Sequence, residues 1–439
     1  MSQYKAYPAY KDSGVEWIGQ VPEHWEVKPI CRVTSVNDDA LSDSTTGPTR
    51  ISYVDISSVG YTEGIKQATE MAFEDAPSRA RRKASTGDVV VSTVRTYLKA
   101  VAAVTDEYAD CIFSTGFAVL RARQLEQSFL KWMILNELLV QAIEAHSEGL
   151  SYPAINASAL VKLKSVIPPP DEQATIAATL DRETSRIDAL IQKKTRFIEL
   201  LKEKRQALIT HAVTKGLDPN VKMKDSGVEW IGQVPEEWLN RKVFHAFQTI
   251  GSGTTPPSKE HEWYQGGTIP WITTSELREN TVLETKKCVT SEAMQKFSAL
   301  KIFPAGSLAI AMYGATIGRL GLLGIPATTN QACCVLSGER DLNIQFLYYW
   351  LMASRAAIVA LFSEGGGQPN INQEVIASLW VPSPEPDEQA TIAATLDRET
   401  ARIDALIGKA EQSITLLKER RSAFITAAVT GQIDLRGEQ

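Results

Sequence analysis

Fourteen consecutive residues, DEQATIAATLDRET, occupy positions 171–184 and return unchanged at 387–400, an offset of 216 in a chain of 439 residues. Two such copies half a chain apart restrict the fold to something built from two like halves. Both copies open a segment with helical period. Leu180, Ile187, Leu201 and Leu208 fall on a seven-residue grid interrupted at Lys194, and Leu190 and Phe197 each lie three positions after a grid point. The second copy repeats the grid with Leu396, Ile403, Leu417 and Phe424, with Leu406 beside it. An apolar seam at this period is that of a coiled coil; a single amphipathic helix packed on its own domain gives a similar pattern. Each segment follows a proline-rich stop, with Asp171 or Asp387 placed to cap, and each ends near a glycine, Gly216 or Gly431.

A second repeat precedes each half. KDSGVEWIGQVPE fills 11–23 and again 224–236, with Trp25 and Trp238 two positions later. Turn-forming Asp, Ser, Gly and Pro around apolar anchors read as an ordered lead-in packed on something fixed, with a substrate loop as the other reading. Between lead-in and helix, the two halves diverge. Runs such as GDVVVSTV and GSLAIAMYGATIGRLGLL predict strands, and FLKWMILNELLVQAIEAH and IQFLYYWLMASRAAIVALF predict helices. The ends of the divergent segments align again, Gly149 and PAIN at 153–156 against Gly365 and PNIN at 369–372, and Leu120 against Leu336. The expected fold is α+β: residues 1–168 as lead-in plus first globular domain, 169–216 as a long helix, 217–385 as the second lead-in and domain, and 386–439 as the second helix. The two helices are expected to pack together as a coiled coil, giving a two-fold built within one chain.

Composition excludes more than it identifies. The chain is 44% hydrophobic and 22% charged, as soluble globular proteins are, and no run suggests a membrane span or a signal peptide. Cys31, Cys111, Cys288, Cys333 and Cys334 show neither CxxC spacing nor histidine partners, so no metal site is expected, and a reducing cytoplasm fits. The formal net charge of −6 argues against a general nucleic-acid coat, although residues 79–99 carry Arg79, Arg81, Arg82, Lys83, Arg95 and Lys99 against Asp88 alone. Phosphate-loop, dinucleotide-binding, HExxH and GxSxG patterns are absent, as is the Asn/Asp-Pro-Pro-aromatic loop of amino-methyltransferases. The glycine run at 365–367 could cradle an anion or be a plain loop, and Glu284-Thr285-Lys286 resembles half of a nuclease motif without a partner aspartate at a convincing spacing. No catalytic residues are expected.

What the sequence does offer suits recognition. Thr93, Arg95, Tyr97 and Lys99 interleave hydroxyl, cationic and aromatic groups at the end of a predicted strand, types that reach phosphates and guanine edges. In the second domain the matching stretch holds Tyr313, Thr316 and Arg319 among glycines that permit close backbone approach. Asn330 and Gln331 can pair bidentately with adenine, and Thr254 and Ser275 are further hydroxyl candidates. Each of these residues can equally be the polar end of a strand, and PAIN and PNIN read as capped turns.

These residues together resemble a known family, the specificity (S) subunits of type I restriction–modification systems. The resemblance is carried by KDSGVEWIGQVPEHW, PPPDEQATIAATLD, RQALITHAVTKG and RSAFITAAVTG in the shared parts. In the variable parts STVRTYLKAVA, FSTGFAVLRA, EGLSYPAINASALVKLKSVIPPP, TIPWITTSEL, YGATIGRLG, ATTNQACCVL and GGGQPNINQEVIASLWVP carry it. It covers nearly the whole chain. It implies two target-recognition domains that each read one half of a split, asymmetric double-stranded DNA sequence, held apart by the paired helices as an antiparallel coiled coil with an internal pseudo-two-fold. It further implies two methyltransferase (M) subunits docked on those helices and restriction (R) subunits in the full complex. S-adenosylmethionine, ATP and Mg would then be cofactors of the partner subunits, with none in this chain. Two other readings stand beside it: the specificity partner of a fused restriction–methylation enzyme, and a coiled-coil scaffold that binds no DNA.

Overall fold

The computed structural model describes residues 4–42, 44–364 and 369–437. They form two compact units, one of 1–195 with 411–439 and one of 196–410. The boundary runs through both long helices rather than at their ends. This differs from the four-part division expected, because each half of each helix is buried against a globular domain.

In the first unit the lead-in is an antiparallel pair, Tyr10–Asp12 with Gln20–Pro22. Glu26–Pro29 pairs with Lys164–Ile167, so the domain's first and last strands lie together. Between them are two four-stranded sheets. One runs Val101–Ala103, Val89–Ser92, Phe117–Ala122, Thr34–Val36, and the other Thr69–Ala72, Arg50–Val54, Ile112–Ser114, Ala80–Lys83. Val89, Val90 and Val91 are all buried, which is why that strand is an unbroken β-branched run instead of an alternating one. The helical stretch expected at 129–146 is two helices, Gln127–Ile134 and Glu137–Ala145. Asn136 breaks it by turning its side chain to accept from the Leu138 N–H at 3.1 Å, as an N-cap does.

The second unit repeats the plan with different sheets. Its lead-in pairs Met223–Asp225 with Gln233–Pro235, and Leu239–Lys242 pairs with Trp380–Ser383. A five-stranded sheet runs Phe247–Gly251, Cys333–Glu339, Leu308–Ala311, Leu320–Leu323, Asn280–Val282, and a three-stranded one runs Cys288–Val289, Ile269–Ile272, Thr328–Thr329. The helix Ile344–Phe362 is long and apolar enough to cross a membrane, contrary to the reading of the sequence. It buries Phe346, Leu347, Trp350, Leu351 and Ile358 in this domain's core, which accounts for its composition.

The long helices are Pro170–Lys215 and Pro386–Val429. Proline is their first helical residue, where its missing N–H costs nothing, so Asp171 and Asp387 sit inside the first turn and complement the helix dipole instead of capping. Gly216 and Gly431 follow with φ of 76° and 74°, the left-handed stop that glycine supplies without strain. The repeated opening is explained by what it holds. Glu172 accepts from the Trp25 indole at 3.0 Å, and Glu388 from the Trp238 indole at 3.2 Å. Gln173 accepts from the Glu126 N–H at 2.9 Å and donates to the Pro168 carbonyl at 2.7 Å, and Gln389 treats Asn343 and Pro384 in the same way at 2.7 and 2.8 Å. Each unit thus pins its lead-in and its domain to the start of one helix.

Within each unit the two helical segments run antiparallel. In the first, Asp188 meets Arg421 at 3.0 Å while Glu172, earlier on its helix, meets Arg436, beyond the end of the other helix, at 3.8 Å. In the second, Arg205 Nε lies 3.1 Å from Asp404, and a Cβ at Gly216 would lie 3.3 Å from the Glu388 carboxylate. Asp188 and Arg205 become Asp404 and Arg421 at the offset of 216, so this is one ion pair in two copies. They are not equal in detail: Arg421 Nε donates to both Asp188 oxygens at 3.0 and 3.3 Å, whereas Arg205 Nε is near Asp404 without hydrogen-bond alignment.

Leu180, Ile187 and Leu201 are buried and Leu208 half-buried, as are Leu396, Ile403 and Phe424 with Leu417. Leu190, Phe197 and Leu406 are not part of the seam; they are 41%, 46% and 40% exposed. The second column lies four residues after each grid point, at Thr184, Ile191, Ile198, Arg205 and Ala212, with Thr400, Ile407, Ile414, Arg421 and Ala428 as counterparts, all buried or half-buried. Both 3 and 4 fit a helix, and only packing chooses between them.

Candidate nucleic-acid interface

The central strand of each domain fixes how the two halves correspond. Val89 lies opposite Leu120 and Leu308 opposite Leu336, so the strand and the turn after it match at an offset of 219. In the first domain the strand Val89–Ser92 runs into Thr93, whose hydroxyl donates to the Gly116 carbonyl at 2.9 Å. A single 3-10 turn, Thr96–Leu98, follows. It is flanked by Arg95 and Lys99, both with left-handed backbones, at φ of 51° and 48°. In the second domain Leu308–Ala311 runs into the 3-10 turn Gly314–Thr316, and the two left-handed residues are Gly314 and Gly318, at 75° and 71°. Arg95 and Lys99 correspond to these two glycines.

Each turn is zipped onto the tetrapeptide, PAIN or PNIN, that leads into the last short helix of its domain. Ile155 N–H donates to the Thr93 carbonyl at 2.9 Å, and Ile371 N–H to the Met312 carbonyl at 2.7 Å. Val94 bridges Ala154 and Tyr313 bridges Asn370. PAIN and PNIN are thus structural: Asn156 and Asn372 stand at the N-termini of short helices, and Asn372 accepts from the Val375 N–H at 2.8 Å. The glycine run 365–367 lies outside the described residues.

The first domain brings its four candidates together. Thr93 is buried and serves the turn itself, whereas Tyr97 is 48% exposed, and Arg95 and Lys99 border the same surface. Arg95 lies 5.0 Å over the Tyr152 ring, a cation–π contact that sequence reasoning missed, since nothing in YPAIN marks the tyrosine. Arg79 and Arg95 line one cleft of about 210 Å³ with Tyr53 and Asp55. Burial pushes the Asp55 carboxyl up, but hydrogen bonds from Ser57 and Ser58 outweigh this and hold it below the usual carboxylate range. Elsewhere in the basic run Arg81 stacks on Phe73 at 4.8 Å, and Asp88, the one acid of the run, pairs with Arg121 at 2.8 Å.

The second domain splits its candidates between two places. Tyr313, Thr316 and Arg319 share the strand-end turn, where the Thr316 hydroxyl bonds the Tyr313 carbonyl at 3.4 Å and the Arg319 side chain is half-buried. Thr254, Ser275, Asn330 and Gln331 gather instead where Ile269–Ile272 and Thr328–Thr329 end. The Asn330 N–H reaches the Ile272 carbonyl at 3.0 Å, and the Thr254 carbonyl accepts from Trp271 at 3.1 Å. Asn330 Oδ1 already accepts from the Ala332 N–H at 3.2 Å, and Gln331 Oε1 accepts from the Thr255 hydroxyl. Each amide oxygen keeps a second lone pair beside its NH2 group, so these bonds orient the side chains without using up the pair of groups that adenine would need. Ser275, exposed on its own 3-10 turn, bonds Thr273 at 2.9 Å.

The arrangement offers groups that can bind and orient a ligand. Among the described residues no cluster of histidine, cysteine and carboxylate side chains is placed to hold a metal ion.

Comparison with known proteins is consistent in what it returns. The family described as the type I restriction modification DNA specificity domain matches residues 235–416. A Methanocaldococcus jannaschii protein assigned as the type I restriction enzyme MjaX specificity subunit is 26% identical, covering 95% of this chain and 96% of its own length. The EcoR124I/EcoR124II specificity subunit of Escherichia coli is 25% identical over 41% of this chain and 43% of its own. Among solved structures, a chain from a study of type I restriction–modification assembly and conformational transition superposes with a TM-score of 0.76 at 21% identity, over 95% of this chain and 99% of its own. The HsdS subunit from Thermoanaerobacter tengcongensis gives 0.55 at 22% identity, over 94% and 98%. At these identities the structural likeness is one of fold.

Proposed function

We propose that the chain is a specificity subunit of a type I restriction–modification system and reads a split, asymmetric DNA target, one half-site per domain. It is the non-catalytic member of such a complex. The observation that carries the DNA reading is the shared strand-end turn: one backbone course, held in both domains by the same bridge and the same bond from an isoleucine N–H, that presents Arg95 and Lys99 in one and Gly314 and Gly318 in the other. A common frame with different side chains is what recognition of two different half-sites needs, since groove contacts specify sequence while the frame sets position. Two methyltransferase subunits dock on the paired helices in this reading, and restriction subunits complete the endonuclease. S-adenosylmethionine, ATP and Mg belong to those partners, and the assembly works in a prokaryotic cytoplasm.

The test is methylation mapping. The chain is expressed with its cognate M subunit in a host free of methylation, and modified bases are located by sequencing the genome. The expected result is a single motif with two unlike halves. A stable complex that leaves no new motif would favour the scaffold reading, and activity only with a fused restriction–methylation enzyme would favour the other.

A further inference from the structure

One loop of the first domain is firmly held yet presents apolar side chains to solvent. Glu148 and Ala154 exchange two backbone hydrogen bonds of 2.9 Å, closing residues 149–153 as a tight loop. Its base is tied to the strand-end turn by the Ile155 N–H and by a 2.8 Å bond between the Thr96 and Ser147 hydroxyls. At its tip Leu150 is fully exposed and Tyr152 is 66% exposed, next to the turn that carries the exposed Tyr97 and Leu98. Neither Leu150 nor Tyr152 belongs to a hydrophobic core of the domain, so packing does not account for them.

The surroundings select the occupant. Arg95 covers one face of Tyr152 and shares a cleft with Arg79, and Lys99 closes the adjoining turn. An apolar tip among cations suits a ligand that is anionic outside and apolar inside, with a gap that a side chain can enter. Duplex DNA at a base step is such a ligand, and leucine is among the side chains that wedge into one. We propose that Leu150, steadied by Tyr152, enters the duplex at the half-site of the first domain and unstacks one base step. This rests on the DNA-reading function proposed above. At the offset of 216 the second domain has Gly366 and Gln368, which lie outside the described residues and offer no such wedge by sequence, so the other half-site is a built-in control.

The experiment uses the complex with its M subunits and duplexes of the mapped motif in which 2-aminopurine replaces one base at a time. The expected result is a fluorescence rise at one step of the first half-site that is lost in Leu150→Ala, together with binding weakened about tenfold and an unchanged melting temperature. Leu150→Phe should retain the rise. A rise at the methylated base, which a partner methyltransferase produces by extrusion, is recognised by its survival in Leu150→Ala. Identical profiles and affinities for the wild type and Leu150→Ala overturn the wedge while leaving DNA reading intact. Loss of M-subunit association in Leu150→Ala with an unchanged profile also overturns it, in favour of protein docking. Failure of the wild-type complex to bind its mapped motif overturns both.

Discussion

The turn after the central strand has the same course in both domains, yet one copy is easy to build and the other is not. With Gly314 and Gly318 at its two left-handed positions, the second domain adopts the turn freely. The first domain places Arg95 and Lys99 there, side chains for which this backbone costs roughly 1 kcal/mol or more each. Glycine at those positions would adopt the turn without that strain. That the costly residues are both cations, on the surface where Tyr97 and Tyr152 are exposed, argues that they serve binding. Shared structure therefore marks the frame, and the departure from cheap structure marks the site.

If the helix pair is the common frame, breaking it should have the largest effect and should not depend on either site. Ile187 lies on the buried seam, so Ile187→Asp places an unpaired charge there and should destabilise the protein by about 3–5 kcal/mol in chemical denaturation. Leu190→Asp, three positions on and 41% exposed, should change stability by no more than about 0.5 kcal/mol. Equal losses in the two variants would mean that the seam runs along the other column.

The next test separates site from frame within the first domain. Replacing both Arg95 and Lys99 with glycine relieves two left-handed strains while giving the unfolded chain more freedom. Stability should stay the same or rise by up to about 1 kcal/mol. Affinity of the assembled complex for its target should fall by about 10- to 100-fold, the scale of one or two lost base or phosphate contacts. A variant that is both less stable and unaltered in binding would show that the cations hold the turn together.

The duplication, the helices and their glycine stops could be read from the chain because a period and a repeat survive without knowledge of packing. The choice of Leu190 and Phe197 failed where packing decides, since Ile191 and Ile198 are equally good helical neighbours of the grid. The candidate site could be picked out as a composition, in Thr93 to Lys99, but not as a conformation. Nothing local announces that Arg95 is left-handed, because the cause is the zipper to residues 153–155, some sixty positions away. Tyr152 was invisible for the same reason, and Asn330 looked free because its bond to the Ala332 N–H appears only once the turn is folded.

The smallest effect expected comes from giving the second domain a share of the first domain's strain. Gly314→Ala adds a Cβ that meets nothing within 4 Å, so its whole cost is the left-handed backbone, about 1 kcal/mol. Gly318→Ala has the same backbone cost, but its Cβ would lie 3.0 Å from the Arg355 side chain. Arg355 donates to the Ile317 carbonyl at 3.1 Å and pairs with Glu279 at 3.3 Å, so shifting it disturbs two contacts that hold the turn. Gly318→Ala should therefore cost a few tenths of a kcal/mol more than Gly314→Ala, a difference measurable as the gap between two denaturation midpoints. If Gly314→Ala is instead neutral, left-handed geometry is not costly in this turn. The argument that Arg95 and Lys99 are retained for binding would then lose its energetic basis.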